Sequence, residues 1–153
     1  MNGTYNDNRR GGALQLLGLA WGLYAISFFL PAVGDGGDKA PGWVAFLLCF
    51  EGLFGSGDGF AWQITLAFYE ICNLGTLLSP VIFWMGGRRW NLSLSLVLGT
   101  ALALGTVSFV YAISTDHFHL YAGYYTWLGS MTLLTTVLFR QSRLGNKTPG
   151  RNQ

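Results

Sequence analysis

The stretch Phe60-Ala-Trp-Gln-Ile-Thr-Leu-Ala-Phe-Tyr-Glu70-Ile-Cys-Asn-Leu-Gly-Thr-Leu-Leu-Ser-Pro80-Val-Ile-Phe-Trp-Met-Gly86 decides how the chain is read. It is long and mostly apolar, and its single charge, Glu70, lies near the middle. About 20 mostly apolar residues suffice to cross a bilayer. Such a segment must be helical, because an open strand would leave its backbone unpaired in lipid. Three further stretches match it on either side. Ala13 to Val33 carries no charge and only Gln15 and Ser27 as polar interruptions, Trp90 to Thr115 carries no charge, and Phe118 to Phe139 has only His119 at its edge. The expected fold is all-α: one polytopic membrane domain over residues 1–153, with four transmembrane helices and a tail from 140 to 153.

A fifth apolar stretch, Pro41 to Gly55, is too short to cross. Trp43, Phe46, Leu47, Phe50 and Phe54 recur at helical spacing, and the opposite face (Val44, Ala45, Leu48, Cys49) is apolar as well. A helix apolar all round wants lipid or a protein interior. A short re-entrant or interfacial helix is expected, or else a loop packed over the helix ends.

Composition agrees. Half of the chain is apolar (51%), only 10% is charged and 16% is aromatic, against about 25% charged in a soluble domain. Glycine occupies 22 of 153 positions without a collagen-like period. On this reading a soluble globule, a disulfide scaffold (two Cys) and a nucleic-acid binder (net charge +2) are ruled out, and an integral membrane protein remains.

The basic residues orient it. Arg9, Arg10, Arg88, Arg89, Arg140, Arg143, Lys147 and Arg151 fall on one side of the four spans, and Lys39 alone on the other, with Asp35, Asp38, Glu51, Asp58 and Asp116. Basic loops mark the cytoplasmic face, so both termini are expected in the cytoplasm. Trp62, Tyr121, Tyr124 and Tyr125 would anchor the outer interface, and Trp84 and Trp90 the inner one. The first span is too long for the apolar core of a cleaved signal peptide. The three Asn-x-Ser/Thr sites, at Asn2, Asn91 and Asn146, lie on the cytoplasmic side and should stay unmodified.

Lipid gives helices no hydrophobic reason to associate, so small residues and hydrogen bonds must hold them together. Gly18 and Gly22 form a GxxxG pattern in the first span. Ala101 and Gly105 are spaced alike in the third, and Ala122, Thr126 and Ser130 in the fourth. The plain expectation is close packing within the chain; the sharper one is that a small-residue face docks a partner helix.

Glu70 is the unusual residue, since a carboxylate at mid-membrane costs a few kcal/mol, about 2.5–3.5 on insertion scales. At about 100° per residue, Gln63 and Asn73 share its helical face and Cys72 points away. All nine Lys and Arg lie outside the spans. Glu70 is therefore protonated, or held by neutral donors such as Asn73, Tyr24, Thr100 or Ser130, or met by a cation from a substrate, ion or partner.

Other signals are weak. Asp116, His117 and His119 are metal-ligand types in an outer turn, without helical ligand spacing. Cys49 and Cys72 form no CxxC, Gly55 to Gly59 is an outer turn, and Pro80 is expected to kink the second span. No catalytic set and no cofactor motif is legible.

Three segments, Tyr24-Ala-Ile-Ser-Phe-Phe-Leu-Pro-Ala-Val33, Gly42-Trp-Val-Ala-Phe-Leu47 and Gly123-Tyr-Tyr-Thr-Trp-Leu-Gly-Ser-Met131, resemble small bacterial inner-membrane proteins of unassigned function. That resemblance implies a location and no activity. The expected role is non-enzymatic: an accessory, assembly or partner-binding subunit in the bilayer, joined to another membrane protein or to copies of itself. The alternative is a small oligomeric transporter or channel that uses the Glu70 carboxylate.

Overall fold

Proline 31 ends the first helix. A proline donates no N–H and keeps the residue before it out of the helical region. Helix α1 (Gly3–Ser27) therefore stops at Ser27 and not at Val33. Phe28 N and Phe29 N close its last turn on Ala25 O (3.3 Å) and Ile26 O (3.0 Å). The chain then forms strand β1 (Pro31–Asp35) and returns antiparallel as β2 (Asp38–Pro41). It continues through α2 (Gly42–Phe54), α3 (Phe60–Met85), α4 (Arg88–Thr115), β3 (His119–Leu120) and α5 (Ala122–Leu144). This computed structural model describes the backbone of residues 3–35, 38–54, 60–85, 87–115 and 119–144. The side chains of Arg9, Arg10, Trp62 and Arg88, and residues Asp58, Asp116, His117, Lys147 and Arg151, lie outside that description.

The fold is mostly helical, with five helices as the all-α expectation has it, and a small three-stranded sheet in the order β2-β1-β3 is added to them. β3 pairs Leu120 with Val33 and His119 with Gly34. Strands of five, four and two residues are too short to show the period-2 alternation that betrays a strand. The sheet nonetheless ties two connections together at one end of the molecule. Tyr121 N bonds Ala32 O (3.0 Å), and Gly42 N bonds Leu30 O (2.9 Å). Gly123 is needed for this join, because a Cβ there would lie 2.7 Å from the backbone oxygens of Leu30 and Pro31.

Helix α1 lies along α5, α5 along α4 and α4 along α3, with α2 against α3. Leu17 and Ala20 of α1, Cys72 of α3, Leu98 and Ala101 of α4, and Met131, Leu134 and Leu138 of α5 form the core. The small residues of α4 are used as expected. Ala101 is buried, and a Cβ on Gly105 would sit 3.0 Å from the Tyr69 ring. Gly18 and Gly22 of α1 are not used in this way: both face outward, and a Cβ on either would meet nothing within 4 Å. The motif permits close approach; among the described residues no helix makes it.

Two stretches, Gln63–Met85 and Arg89–Val107, are long and apolar enough to cross a membrane, while Gly11–Ser27 and Gly42–Glu51 are apolar but shorter. Among the described residues, two of the four expected crossings thus have the length and hydropathy of a span. Helix α5 has the length, but Tyr124, Tyr125, Trp127 and its threonines dilute it. Polarity in α3 is turned inside out. Thr65, Glu70, Asn73, Thr76 and Ser79 are buried, while Ile71, Leu74, Leu77, Leu78 and Val81 face outward. Pro80 sits within this helix, which runs on through it.

Candidate functional site

Residues three and four apart on a helix share a face, so α3 presents Leu66, Tyr69 and Asn73 together. They face a partly open cavity of about 200 Å³ lined also by α2 (Ala45, Phe46, Cys49), the end of α1 (Ser27, Phe28) and the start of α5 (Tyr124, Trp127). Nearly all of its wall is apolar or aromatic. Helix α2 is therefore one wall of this space, which Leu48 also lines, while its other apolar residues Trp43, Leu47 and Phe50 stay exposed.

Asn73, 4% exposed, organises the polar groups. Its Oδ1 accepts hydrogen bonds from Tyr24 Oη (3.3 Å) on α1 and Trp127 Nε1 (3.0 Å) on α5. Beside it, Tyr69 Oη donates to Gly105 O (3.3 Å) and lies 3.2 Å from Tyr124 Oη. The Tyr69 and Trp127 rings meet edge to face at 5.1 Å, and Tyr124 stacks on Trp127 at 6.1 Å. Tyr124 is thus turned inward, whereas its neighbour Tyr125 keeps the interfacial exposure expected of both (59%).

Glu70 borders this cluster. It is 1% exposed, and neither carboxylate oxygen has a hydrogen-bond partner. No cation among the described residues pairs with it. On α3 it follows Tyr69 and lies one turn before Asn73, the two polar residues of the cavity's α3 wall.

None of the neutral donors expected to hold Glu70 hydrogen-bonds it. Tyr24 is spent on Asn73, Ser130 Oγ bonds Trp127 O (2.7 Å), and Thr100 is exposed on α4 beside a shallow groove against α5. Gln63 shares the helical face, but it is half-buried about 10 Å along the axis and does not line the cavity. His119 is exposed in β3, and Cys49 and Cys72 are free thiols. Among the described residues no three His, Cys, Asp or Glu side chains gather as metal ligands.

The cavity itself was not legible in the sequence, because α1, α2, α3 and α5 each supply part of its wall. The one local signal was aromatic: Tyr69 adjoins Glu70, and Tyr124 and Trp127 share a helical face. No family model matches the chain, and neither a curated protein nor a solved structure matches it.

Proposed function

We propose that the chain is a multi-pass membrane protein that binds a small ligand among its helices and handles it without covalent chemistry, as a small transporter or channel does. Helices α1, α3, α4 and α5 form a four-helix bundle across the bilayer, in a bacterial inner membrane, with both termini cytoplasmic. The inverted polarity of α3 supports the bilayer: a surface of Leu, Ile and Val over a polar interior suits lipid outside and hydrogen bonding inside. The distribution of charge supports the orientation. Arg89, Arg140 and Arg143 belong to the end opposite the sheet, and Lys39 lies on the sheet.

One observation supports the functional reading: a fully buried carboxylate with two unmet oxygens lies on α3 between Tyr69 and Asn73, two residues that line the cavity. Intramembrane acids are expensive and mark ion or substrate routes by default. Because Glu70 faces its own helices, the cation it wants must enter the chain. In proteoliposomes the wild type should give a flux of protons, cations or lipophilic amines that is lost in Glu70→Gln. Equal passive leak from both, across that panel, would refute the reading.

A second reading, an accessory or assembly subunit that binds a partner, rests on α1. Gly75, Gly105 and Gly123 all meet close neighbours, whereas Gly18 and Gly22 face outward with nothing against them. In lipid, small residues favour association where a second helix approaches. The double variant Gly18→Leu/Gly22→Leu should abolish crosslinking to partner or second copy and leave thermal stability unchanged. Undiminished crosslinking would end this reading.

A further inference from the structure

We propose that the groove between α4 and α5 holds an acyl chain of an anionic phospholipid, whose phosphate is met at the cytoplasmic end by Arg143 and Arg89. This rests on the reading of the helices as a bundle across the bilayer and is independent of Glu70.

Small residues make the groove. Ser95, Gly99 and Ala103 recur every four positions on α4, and Thr135, Thr136 and Phe139 form the opposing wall on α5. The space between them is open and measures about 520 Å³. Ser95 Oγ donates to Leu92 O (2.9 Å) and Thr136 Oγ1 to Thr132 O (2.8 Å). Those hydroxyls are satisfied within their own helices, and most of the surface left to the groove is hydrocarbon. From Ser95 to Leu104 it runs about 14 Å along the axis, at 1.5 Å per residue.

The charge sits at one end. The Arg143 guanidinium lies 4.5 Å over the centre of the Phe139 ring, and Phe139 lines the groove. On α4, Arg89 precedes the lining residue Leu96 by seven positions, so the two lie within about 20° of each other around the helix. Both arginines are exposed, and neither α4 nor α5 contains an acidic residue that could neutralise them. A guanidinium grips phosphate through two parallel N–H donors, and juxtamembrane basic residues attract anionic lipid.

Other occupants fit less well. A second copy of the chain would share its orientation in the membrane, and its termini and inner turn would bring arginines to the same end. A helix is also about 10 Å across, too broad for a shallow groove. A zwitterionic phosphatidylcholine would set its own cation against the arginines.

The test is native mass spectrometry of the delipidated full chain in detergent, with palmitoyl-oleoyl phosphatidylglycerol or palmitoyl-oleoyl phosphatidylcholine added at equal concentration. Phosphatidylglycerol should bind roughly tenfold more tightly, on a scale of about fivefold for each arginine engaged. Arg89→Gln/Arg143→Gln, at two exposed positions, should bring it down to the level of phosphatidylcholine. Ala103→Phe and Thr136→Phe, which fill the groove from either wall, should weaken both lipids. Equal affinity for the two lipids, or no loss in the arginine variant, would overturn the headgroup assignment. Undiminished binding in both groove variants would overturn the groove as the site. Displacement of the lipid by inorganic phosphate at equal concentration would mean that the arginines hold a free anion, and would overturn the proposal too. Release of the chain from native membranes by alkaline carbonate would sink the bilayer reading itself. A chain that resists carbonate yet shows no lipid preference would sink this inference alone.

Discussion

Replacing Glu70 by methionine should stabilise the protein, by about 2 kcal/mol or more, while abolishing ligand binding. A buried polar atom left without a partner costs about 1–3 kcal/mol, and Glu70 holds two such oxygens. Methionine keeps the length of the side chain, fills irregular gaps and brings no strong hydrogen-bonding group. Little is lost in exchange, since the carboxyl makes no hydrogen bond of good geometry. For a chain of this size the gain corresponds to a rise on the order of 5 °C in melting temperature, readable by thermal unfolding in detergent micelles. The opposite movements of stability and binding are the informative part. A residue kept for structure weakens the fold when removed, whereas one kept for a ligand often strengthens it. A melting temperature that falls by several degrees would mean that the carboxyl supports the fold, and the ligand argument would lose its premise.

The reach of the sequence can be judged at particular residues. Helix α3 runs Phe60–Met85 where Phe60 to Gly86 is expected, and α4 runs Arg88–Thr115 where Trp90 to Thr115 is expected. Both are long, charge-poor segments bounded by glycine or a charged residue, so local composition suffices. Helix α2 also falls where its apolar run places it. The end of α1 does not, although Pro31 is a breaker in plain view. Apolar residues continue past it to Val33, and hydropathy counts them while backbone geometry does not. Helix α5 begins at Ala122, after His119 and Leu120 have been drawn into the sheet. That pairing joins residues more than eighty positions apart, beyond the reach of any local pattern.

The site divides in the same way. That Glu70 and Asn73 share a buried face follows from helical angle alone, and the structure buries both. Which helices would meet that face does not follow, because it depends on how α1, α2 and α5 are placed around α3. GxxxG gives the complementary lesson. Gly105 and Gly18 look equally suited to close packing, and only one of them is packed, since a small residue states that a helix can approach and not which helix does.

Asn73→Leu is the second substitution with a large expected effect, in the opposite direction. Helix α3 touches α5 only lightly, and the Asn73 Oδ1 atom bridges both α1 and α5 through Tyr24 and Trp127. Leucine shares the branching of asparagine but is bulkier and accepts nothing, so it orphans a buried phenol and an indole N–H together. At about 1–3 kcal/mol per orphan, tempered by the average of about 0.6 kcal/mol for interhelical hydrogen bonds in a membrane protein, a loss of about 2–4 kcal/mol is expected. The double variant Asn73→Leu/Trp127→Phe separates the two causes, because Phe removes the donor that Leu has orphaned. If the bridge matters, the pair should be less damaging than the sum of the single variants, with a coupling of about 1 kcal/mol. Strict additivity would mean that Asn73 acts by filling space. Asn73→Asp is the strictest variant: it keeps the acceptor but sets a second carboxylate beside Glu70, and like charges in a buried site cannot both ionise freely. It should therefore destabilise although both hydrogen bonds remain possible, and combining it with Glu70→Gln should restore most of the loss. Recovery in that pair would show that the two side chains share one electrostatic site, which is what a cation-binding site requires of them.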